Sequence, residues 1–294
     1  MTHNGIAYAK LNLSLDIVSK MPDGYHNIKT VMQSISLGDE ISVDCVPGKG
    51  VTVDSGLPYL PRDERNIAAK AAMSFFRYTG IQPQKTHIRI KKIIPVCAGL
   101  GGGSTDGACV LRILNDMFDT KLSQNVLEEM AGSIGSDVPF CIAGGTRLAE
   151  GRGDLLTDLA PIPFCYAVIC KPPITCSTPK LFSLIKCDKI RARPDTDGII
   201  EALNRGDLGD VARRMYNVFE DVLPQGARDV KEIKYALLNS GALGAVMTGS
   251  GPSVFGLFDD ENNAQNAYEQ LKTSYRECFI TSTVTTNYHI QTGA

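Results

Sequence analysis

Three features are missing from this 294-residue sequence, and each absence removes a class of protein. No apolar run approaches the ~20 residues that a membrane span requires. The first residues lack a basic segment followed by an apolar one, so no secretory signal peptide is expected. Charge of one sign is not in excess, since the formal net charge is −2, which argues against a general binder of nucleic acid. We therefore expect a cytoplasmic protein with no nucleic-acid or membrane partner.

Patterns typical of structural metal sites and disulfide frameworks are also lacking. The four histidines lie far apart, and Cys165, Cys170 and Cys176 lack the C-x2-C spacing of a zinc site. Nine cysteines at scattered spacings, an odd number, are more typical of a reducing compartment than of a disulfide framework. A structural metal site is therefore not expected.

The composition is that of an ordinary globular protein, with 43% apolar and 21% charged residues. The length allows two domains of ordinary size. Pro161 and Pro163 lie in a stretch, 157–163, that separates two regions of regular patterning. We therefore expect one lobe over 1–158 and a second over 159–294.

Hydrophobic periodicity predicts a mixture of strands and helices. Alternation over 11–17 predicts a half-buried strand, and 31–46 also has strand character. The segment 65–80 predicts a helix that Gly80 ends, and 197–240 predicts a long helical region that is broken at Pro224.

A glycine-rich stretch, PVCAGLGGGSTDGACVL at 95–111, lies between a predicted strand and apolar residues at helical spacing. Ser104 or Thr105 can cap the helix. A strand, a glycine loop and a helix N-terminus in this order hold phosphate in many proteins. Backbone N–H groups can then close on the phosphate oxygens, and the helix dipole favours negative charge. The alternative is a flexible turn followed by an N-cap.

Two well-known phosphate loops do not match this stretch. A Walker A loop requires a lysine, and the glycine stretch contains none. The dinucleotide fingerprint G-x-G-x-x-G, counted from Gly99, places Ser104 where the third glycine should stand.

The stretch instead resembles the Pro-x-x-x-Gly-Leu-Gly-Gly-Gly-Ser-Ser-x-Ala loop of the galactokinase, homoserine kinase, mevalonate kinase and phosphomevalonate kinase (GHMP) superfamily. AYAKLNLSLDI at 7–17 and MTGSGPSVFGLF at 247–258 resemble its first and third motifs. The resemblance implies an α+β, two-lobed GHMP kinase fold. Its N-terminal lobe would be ribosomal-protein-like, its C-terminal lobe α/β, and its active site would lie between them. It also implies ATP and Mg²⁺ as cofactors.

The segment MPDGYHNIKTVMQSISLGDEI at 21–41 resembles the Arg-Pro-Asp-Gly-Tyr-His segment of one kinase family in this superfamily, and SDVPFCIAGG at 136–145 resembles its Asp-Val-Pro-Phe segment. The resemblance implies ATP-dependent phosphorylation of the 2-hydroxyl of a cytidine-diphosphate-linked methylerythritol, a small-molecule substrate of the non-mevalonate isoprenoid pathway. Met21, Thr105 and Gly107 depart from the family pattern.

Two alternatives stay open at this point, a mevalonate- or homoserine-kinase-like enzyme and a catalytically silent nucleotide-binding protein of the same fold. The protein is expected to be a monomer or homodimer.

Lys10 and Asp137 match the family's catalytic lysine and aspartate, although each has a purely structural alternative. Lys10 could be a solvated lysine, but phosphoryl transfer needs positive charge near the reacting oxygens and the glycine loop supplies no lysine. Asp137 could be only the N-cap of a short helix. A carboxylate there could also accept the proton of the substrate hydroxyl or orient that hydroxyl.

The remaining site residues are implied by the resemblance. Tyr25 would stack on the cytosine ring, for which its aromatic face is suited, and His26 would hydrogen-bond the edge of the base through its imidazole nitrogens. The triphosphate is expected to lie against the backbone of 101–103. The other predicted residues are Asn12, Thr178 and Phe182 for the substrate, Asn66, Pro95, Gly99, Leu100, Gly101, Gly102, Gly103, Ser104 and Thr105 for ATP, and Gly249, Ser250 and Gly251 in the third motif.

Overall fold

The computed structural model describes residues 2–190, 192–223, 228–285 and 288–291. Within these ranges, no helix has the length and apolarity needed to cross a membrane. The strands are β1 (Thr2–Lys20), β2 (His26–Pro47), β3 (Val51–Asp54), β4 (Gln84–Lys91), β5 (Thr146–Gly151), β6 (Leu155–Asp158), β7 (Tyr166–Lys171), β8 (Tyr216–Asn217), β9 (Gly244–Met247), β10 (Val254–Phe258), β11 (Glu277–Ser282) and β12 (Tyr288–Gln291).

Helices pack against both of the sheets that these strands form. The helices are α1 (Ile67–Thr79), α2 (Gly102–Met117), α3 (Gln124–Gly132), α4 (Val138–Ala143), α5 (Thr178–Leu184), α6 (Thr196–Asn204), α7 (Leu208–Arg213), α8 (Arg228–Asn239) and α9 (Glu261–Leu271), with short 3-10 turns at Cys187–Lys189 and Val218–Val222.

The first sheet has eight strands in the order β12-β1-β2-β4-β3, with β5 and β6 joined to β2 and with β8 joined to β1. The second sheet has four strands in the order β11-β7-β10-β9. Most neighbours in both sheets are antiparallel. The two sheets share one apolar cluster, in which Leu11 and Leu13 of β1 pack with Ile169 and Phe255 of the second sheet. The mixed α and β content confirms the predicted α+β class.

The second sheet begins at β7, shortly after the prolines that suggested a boundary. However, β8 and β12 lie later in the chain and pair with β1 of the first sheet. The lobes are therefore interleaved along the chain, and the division between residues 158 and 159 stays a prediction.

The prediction of a half-buried strand over 11–17 is wrong, because β1 is buried on both faces. Its polar residues Lys10, Asn12 and Ser14 are at most 3% exposed. The second lobe covers them, and the Ser14 hydroxyl lies 3.2 Å from the hydroxyl of Thr196 at the start of α6. Alternation shows which residues share a face of a strand, but not whether another part of the chain covers the polar face.

The predicted helix over 65–80 is confirmed, since α1 begins after Asn66 and ends at Gly80, whose φ of 68° is left-handed. The predicted long helix over 197–240 is wrong. The chain there forms α6, α7, β8 and α8 as separate elements. A left-handed Gly206 ends the first helical stretch, and Asp207 caps the next one. Pro224, where a break was predicted, lies outside the described residues.

Candidate active site

The glycine stretch forms a loop that leads into α2, but the N-cap of this helix lies three or four residues earlier than predicted. Its N-cap is Gly101, at φ 72°, and no side chain caps it. The prediction that Ser104 or Thr105 caps the helix is therefore wrong. The helix starts at the left-handed Gly101, before the chain reaches Ser104 and Thr105. The Thr105 hydroxyl does not cap the helix and donates to the Tyr8 carbonyl at 2.6 Å. The first-turn N–H groups, which have no partner within a helix, lack a side-chain acceptor among the described residues and suit an anion.

The glycine loop lies directly against the third motif, at a distance that only glycine allows. Gly99 has φ 78°, and a Cβ there would overlap the carbonyl oxygen of Thr248. A Cβ on Gly249 would lie 2.9 Å from the carbonyl oxygen of Gly99. The Thr248 hydroxyl donates to that same carbonyl at 3.2 Å. The two predicted motifs, far apart in sequence, thus form one surface.

Lys10 lies beside this surface with its charge buried. Its Nζ donates to Asn12 Oδ1 at 2.6 Å and lies 3.6 Å from Asp137 Oδ2. Its backbone N–H donates to the Leu100 carbonyl at 3.1 Å, and a Cβ on Gly101 would lie 3.1 Å from Lys10 Cγ. The solvated-lysine alternative is therefore wrong, because the side chain is 4% exposed and borders the start of α2.

Asp137 occupies the N-cap position of α4 but does not cap it. Its side chain makes no capping hydrogen bond, and its carboxylate, about one-third exposed, faces Lys10. Asp137 therefore stands at the N-cap position, as the capping alternative required, but its side chain does not make the capping hydrogen bond. Capping does not account for this aspartate. A carboxylate and an ammonium group beside an uncapped helix N-terminus can hold a hydroxyl close to a phosphoryl group.

Asn66 does cap its helix, since its Oδ1 accepts from the Ala68 N–H at 3.0 Å and its Nδ2 donates to the Pro61 carbonyl at 2.9 Å. Capping accounts for the residue, and its place near ATP stays a prediction. Pro95 and Leu100 are buried beneath the loop. They support its shape and offer no exposed side chain to a ligand.

Phe182 and Thr178 of α5 each contact another predicted site residue. The rings of His26 and Phe182 are 4.9 Å apart and tilted by 30°. The hydroxyls of Thr178 and Ser250 are 2.6 Å apart, which joins α5 to the third motif. Burial, and then the charge of Lys20, lowers the pKa of His26, which favours the neutral ring. Tyr25 lies in the turn before β2, with 55% of its surface exposed.

A buried ion cluster below the glycine loop was not predicted from the sequence. Lys92 Nζ lies 2.5 Å from Asp39 Oδ2 and 2.9 Å from Asp106 Oδ2, and all three side chains are at most 8% exposed. Asp39 Oδ1 also accepts from the Ile94 N–H at 2.8 Å. We call these three side chains the Lys92 cluster. It ties β2 and the segment 92–94, which follows β4, to the second turn of α2.

The Lys92 cluster places two carboxyl groups against one ammonium group, away from water. Burial raises the pKa of Asp106 well above its ordinary range, and Asp39 adds to the rise. Burial alone would lower the pKa of Lys92, but the carboxylates of Asp106 and Asp39 outweigh it and raise that pKa. Asp106 Oδ1 is buried and has no hydrogen-bond partner among the residues that the structure describes.

Asn217 is another structurally important residue that was not predicted from the sequence. It is 1% exposed, and its Nδ2 donates to the carbonyls of Met247 and Gly249 at 2.7 and 2.8 Å. Its Oδ1 accepts from the Phe219 N–H at 3.0 Å. One side chain thus fixes the turn of the third motif. Because it lies in the region predicted as helix, no local pattern indicated this role.

No group of three or more His, Cys, Asp or Glu side chains able to hold a metal ion occurs in the part of the chain that the structure describes.

Comparison with known proteins gives consistent matches over nearly the whole chain. The family model "GHMP kinases N terminal domain" matches residues 66–145, and "GHMP kinases C terminal" matches 199–277. A 4-diphosphocytidyl-2-C-methyl-D-erythritol kinase of Clostridium botulinum (strain Langeland) is 44% identical over 95% of this chain and 99% of its own length.

Two solved structures extend the comparison to the fold. A crystal structure of 4-(cytidine 5'-diphospho)-2C-methyl-D-erythritol kinase has a TM-score of 0.80 and 31% identity, and the match covers 95% of this chain and 98% of that one. The homoserine kinase of Cytophaga hutchinsonii has a TM-score of 0.77 at 22% identity, with 99% and 97% covered, and this likeness concerns the fold alone.

Proposed function

The chain belongs to the GHMP kinases and, within them, to the family of 4-diphosphocytidyl-2-C-methyl-D-erythritol kinases, and from this premise we propose how its cleft works. It is an ATP-dependent small-molecule kinase of the non-mevalonate isoprenoid pathway, and its acceptor is the 2-hydroxyl of 4-diphosphocytidyl-2-C-methyl-D-erythritol. The observation that supports this chemistry best is the Lys10–Asp137 pair beside the uncapped start of α2.

Lys10 and Asp137 are the residues to which we assign the chemical step. Lys10, held by Asn12 and Asp137, is the cation beside the transferring phosphoryl group, where negative charge must be stabilised. Asp137 orients the substrate hydroxyl and can accept its proton as the oxygen bonds to the γ-phosphorus and ADP leaves. Because phosphoryl transfer has a loose transition state, position matters more here than strong base catalysis.

The start of α2 suits the phosphates of ATP. The N–H groups of Gly102, Gly103 and Ser104 are first-turn donors without an intrahelical acceptor, and the dipole adds positive potential. Mg²⁺, typical of these kinases, neutralises charge on the ATP phosphates when bound. Mg²⁺ usually takes one or two protein oxygens together with phosphate and water. The Ser104 hydroxyl, in the first turn of α2, is the protein oxygen that would hold it beside these phosphates.

The cytidine end of the substrate is assigned to the surface formed by Tyr25, His26 and α5, which we call the Tyr25–His26 slot. Tyr25 offers an aromatic face, and Phe182 approaches from α5. Neutral His26 can donate through one ring nitrogen and accept through the other. Cytosine presents an amino donor beside ring and carbonyl acceptors, so this pairing suits its edge. Thr178, joined to Ser250, closes the slot next to the third motif.

Turnover of ATP should depend on the cytidylyl methylerythritol and on Mg²⁺. We expect ADP release with this substrate and none above background with mevalonate or homoserine, because only the first offers a base to the Tyr25–His26 slot. A coupled ADP assay with the three acceptors, with and without Mg²⁺, measures this. Release of ADP with homoserine or mevalonate instead would show that the substrate assignment is wrong.

Gly103→Asp should weaken ATP binding without weakening the fold. Gly103 is exposed and helical, and a Cβ there meets only Ile67 Cδ1, at an ordinary 3.4 Å. A carboxylate in the first turn favours the helix by about 0.3–1 kcal/mol. The same charge would repel the triphosphate, so we expect ATP affinity to fall at least ~10-fold while the melting temperature holds.

Gly103→Asn is the control for Gly103→Asp, since it has the same shape without the charge, and we expect a clearly smaller loss of ATP affinity. Calorimetric titration with ATP, beside thermal melts, compares the two. Equal ATP affinity in both variants would contradict the assignment of phosphate to this helix end. Gly102→Ala would be a poorer test, because its Cβ would lie 3.1 Å from Ile94 Cγ2, inside the protein.

A further inference from the structure

Two hairpin tips meet next to Tyr25. The first is the turn between β1 and β2, which carries Asp23 and Tyr25. The second is the turn between β5 and β6, which carries Arg152. Because β2 and β5 are antiparallel, with Ile28 opposite Gly151, both tips lie at the same end of the sheet.

Arg152 makes two contacts across these tips. Its guanidinium carbon lies 4.2 Å from the centroid of the Tyr25 ring, and its Nη2 forms an ion pair with Asp23. Asp23 Oδ1 in turn accepts from the Tyr25 N–H at 3.0 Å. The Tyr25 N–H, and then Arg152, lower the pKa of Asp23. Arg152 thus contacts the Tyr25 ring directly, and it is linked to the Tyr25 backbone through Asp23.

We propose that Arg152 is a positioning residue that fixes the Tyr25 ring for the nucleobase of the substrate. This inference rests on the proposed function of the Tyr25–His26 slot. Because the guanidinium covers one face of the ring, a base can stack only on the other. An exposed tyrosine loses side-chain freedom when a ligand binds, and a ring already held by Arg152 loses less.

An exposed ion pair between Arg152 and Asp23 contributes little by itself. The planar guanidinium over the ring is the distinctive element, since arginine stacks on aromatic faces and lysine is a compact, strongly hydrated charge. Arg152→Lys keeps the charge opposite Asp23 and loses the planar stack. It therefore separates positioning of the ring from simple charge.

The test is a double-mutant cycle on Arg152 and Tyr25, measured as the Kd of 4-diphosphocytidyl-2-C-methyl-D-erythritol by calorimetry and as kcat. We expect Arg152→Ala to raise the substrate Kd about two- to fivefold, the size of one exposed cation–π contact, with the Kd of ATP unchanged. Arg152→Lys should resemble Arg152→Ala. In a Tyr25→Ala background, Arg152→Ala should have no further effect, because the ring that it positions is gone.

Arg89→Ala is the matched control, since Arg89 also pairs with an aspartate at an exposed site, Asp44, and touches no predicted site residue. It should leave both Kd values unchanged. The proposal is overturned if Arg152→Ala leaves the substrate Kd unchanged. It is equally overturned if Arg152→Ala costs as much in the Tyr25→Ala background, which would mean direct contact with the substrate. Failure of the unchanged protein to bind the substrate would instead overturn the proposed function, and the role of Arg152 with it.

Discussion

Lys10→Met is expected to lower kcat by at least ~10²-fold. A loss of this size is usual when one preorganised group that stabilises transition-state charge is removed. Methionine keeps most of the volume of the buried side chain and removes only the ammonium group. Asp137→Asn should cause a loss of similar size, since an amide cannot accept the hydroxyl proton and pairs less well with Lys10. ATP should still bind both variants, because the helix end that we assign to its phosphates is unchanged.

The control for these two variants is Lys91→Met, at an exposed lysine of β4 that pairs with Glu40. It should keep wild-type kcat. Steady-state kinetics measure kcat of the three variants, ATP titration measures their ATP affinity, and thermal melts show whether they are folded. A kcat within about threefold of wild type in a folded Lys10→Met or Asp137→Asn protein would contradict the catalytic assignment of that residue.

Lys92→Met should have the largest effect on stability, about 3–5 kcal/mol in the free energy of unfolding. It removes the only cation of the Lys92 cluster and leaves the buried Asp39 and Asp106 carboxylates without their partner. Denaturant titration measures the loss. Lys91→Met, one residue earlier, breaks only an exposed ion pair and should cost about 0–1 kcal/mol.

The loss in Lys92→Met should depend on pH in a defined direction. Lys92 lowers the pKa of Asp106, so its removal raises that pKa further. A carboxyl group whose folded pKa exceeds its unfolded value of ~3.9 stabilises the fold fully below that value, and the contribution is lost as pH rises through the folded pKa. We therefore expect the difference between wild type and Lys92→Met to be larger at pH 8 than at pH 5. A difference that shrinks as pH rises would contradict this account.

The sequence predicts those parts of the fold that depend on neighbours along the chain. Helix α1 could be placed because Asn66 and Gly80 mark its ends. The start of α2 could not, because a serine and a threonine offered ordinary caps and the left-handed turn at Gly101 came first. The buried polar face of β1 could not be predicted either, since it depends on Thr196 and Thr248 of the other lobe.

The same division holds for the site. Lys10 and Asp137 were named through motifs, and the structure places them in contact. Arg152 and Asn217 were missed because neither lies in a stretch that the resemblance used. Lys92 was missed because its partners are 53 and 14 positions away, so no spacing rule joins them.

The pairing of β12 with β1 has a consequence for how the protein is made on the ribosome. Ile6 of the first strand lies opposite His289 of the last, so the first sheet holds both ends of the described chain. At about 5–20 residues per second, β12 emerges some ten seconds after β6. During that interval the outer edge of β1 has open backbone groups, and such edges pair readily with other chains. Nascent chains halted before residue 288 should therefore depend more on chaperones than the finished protein does.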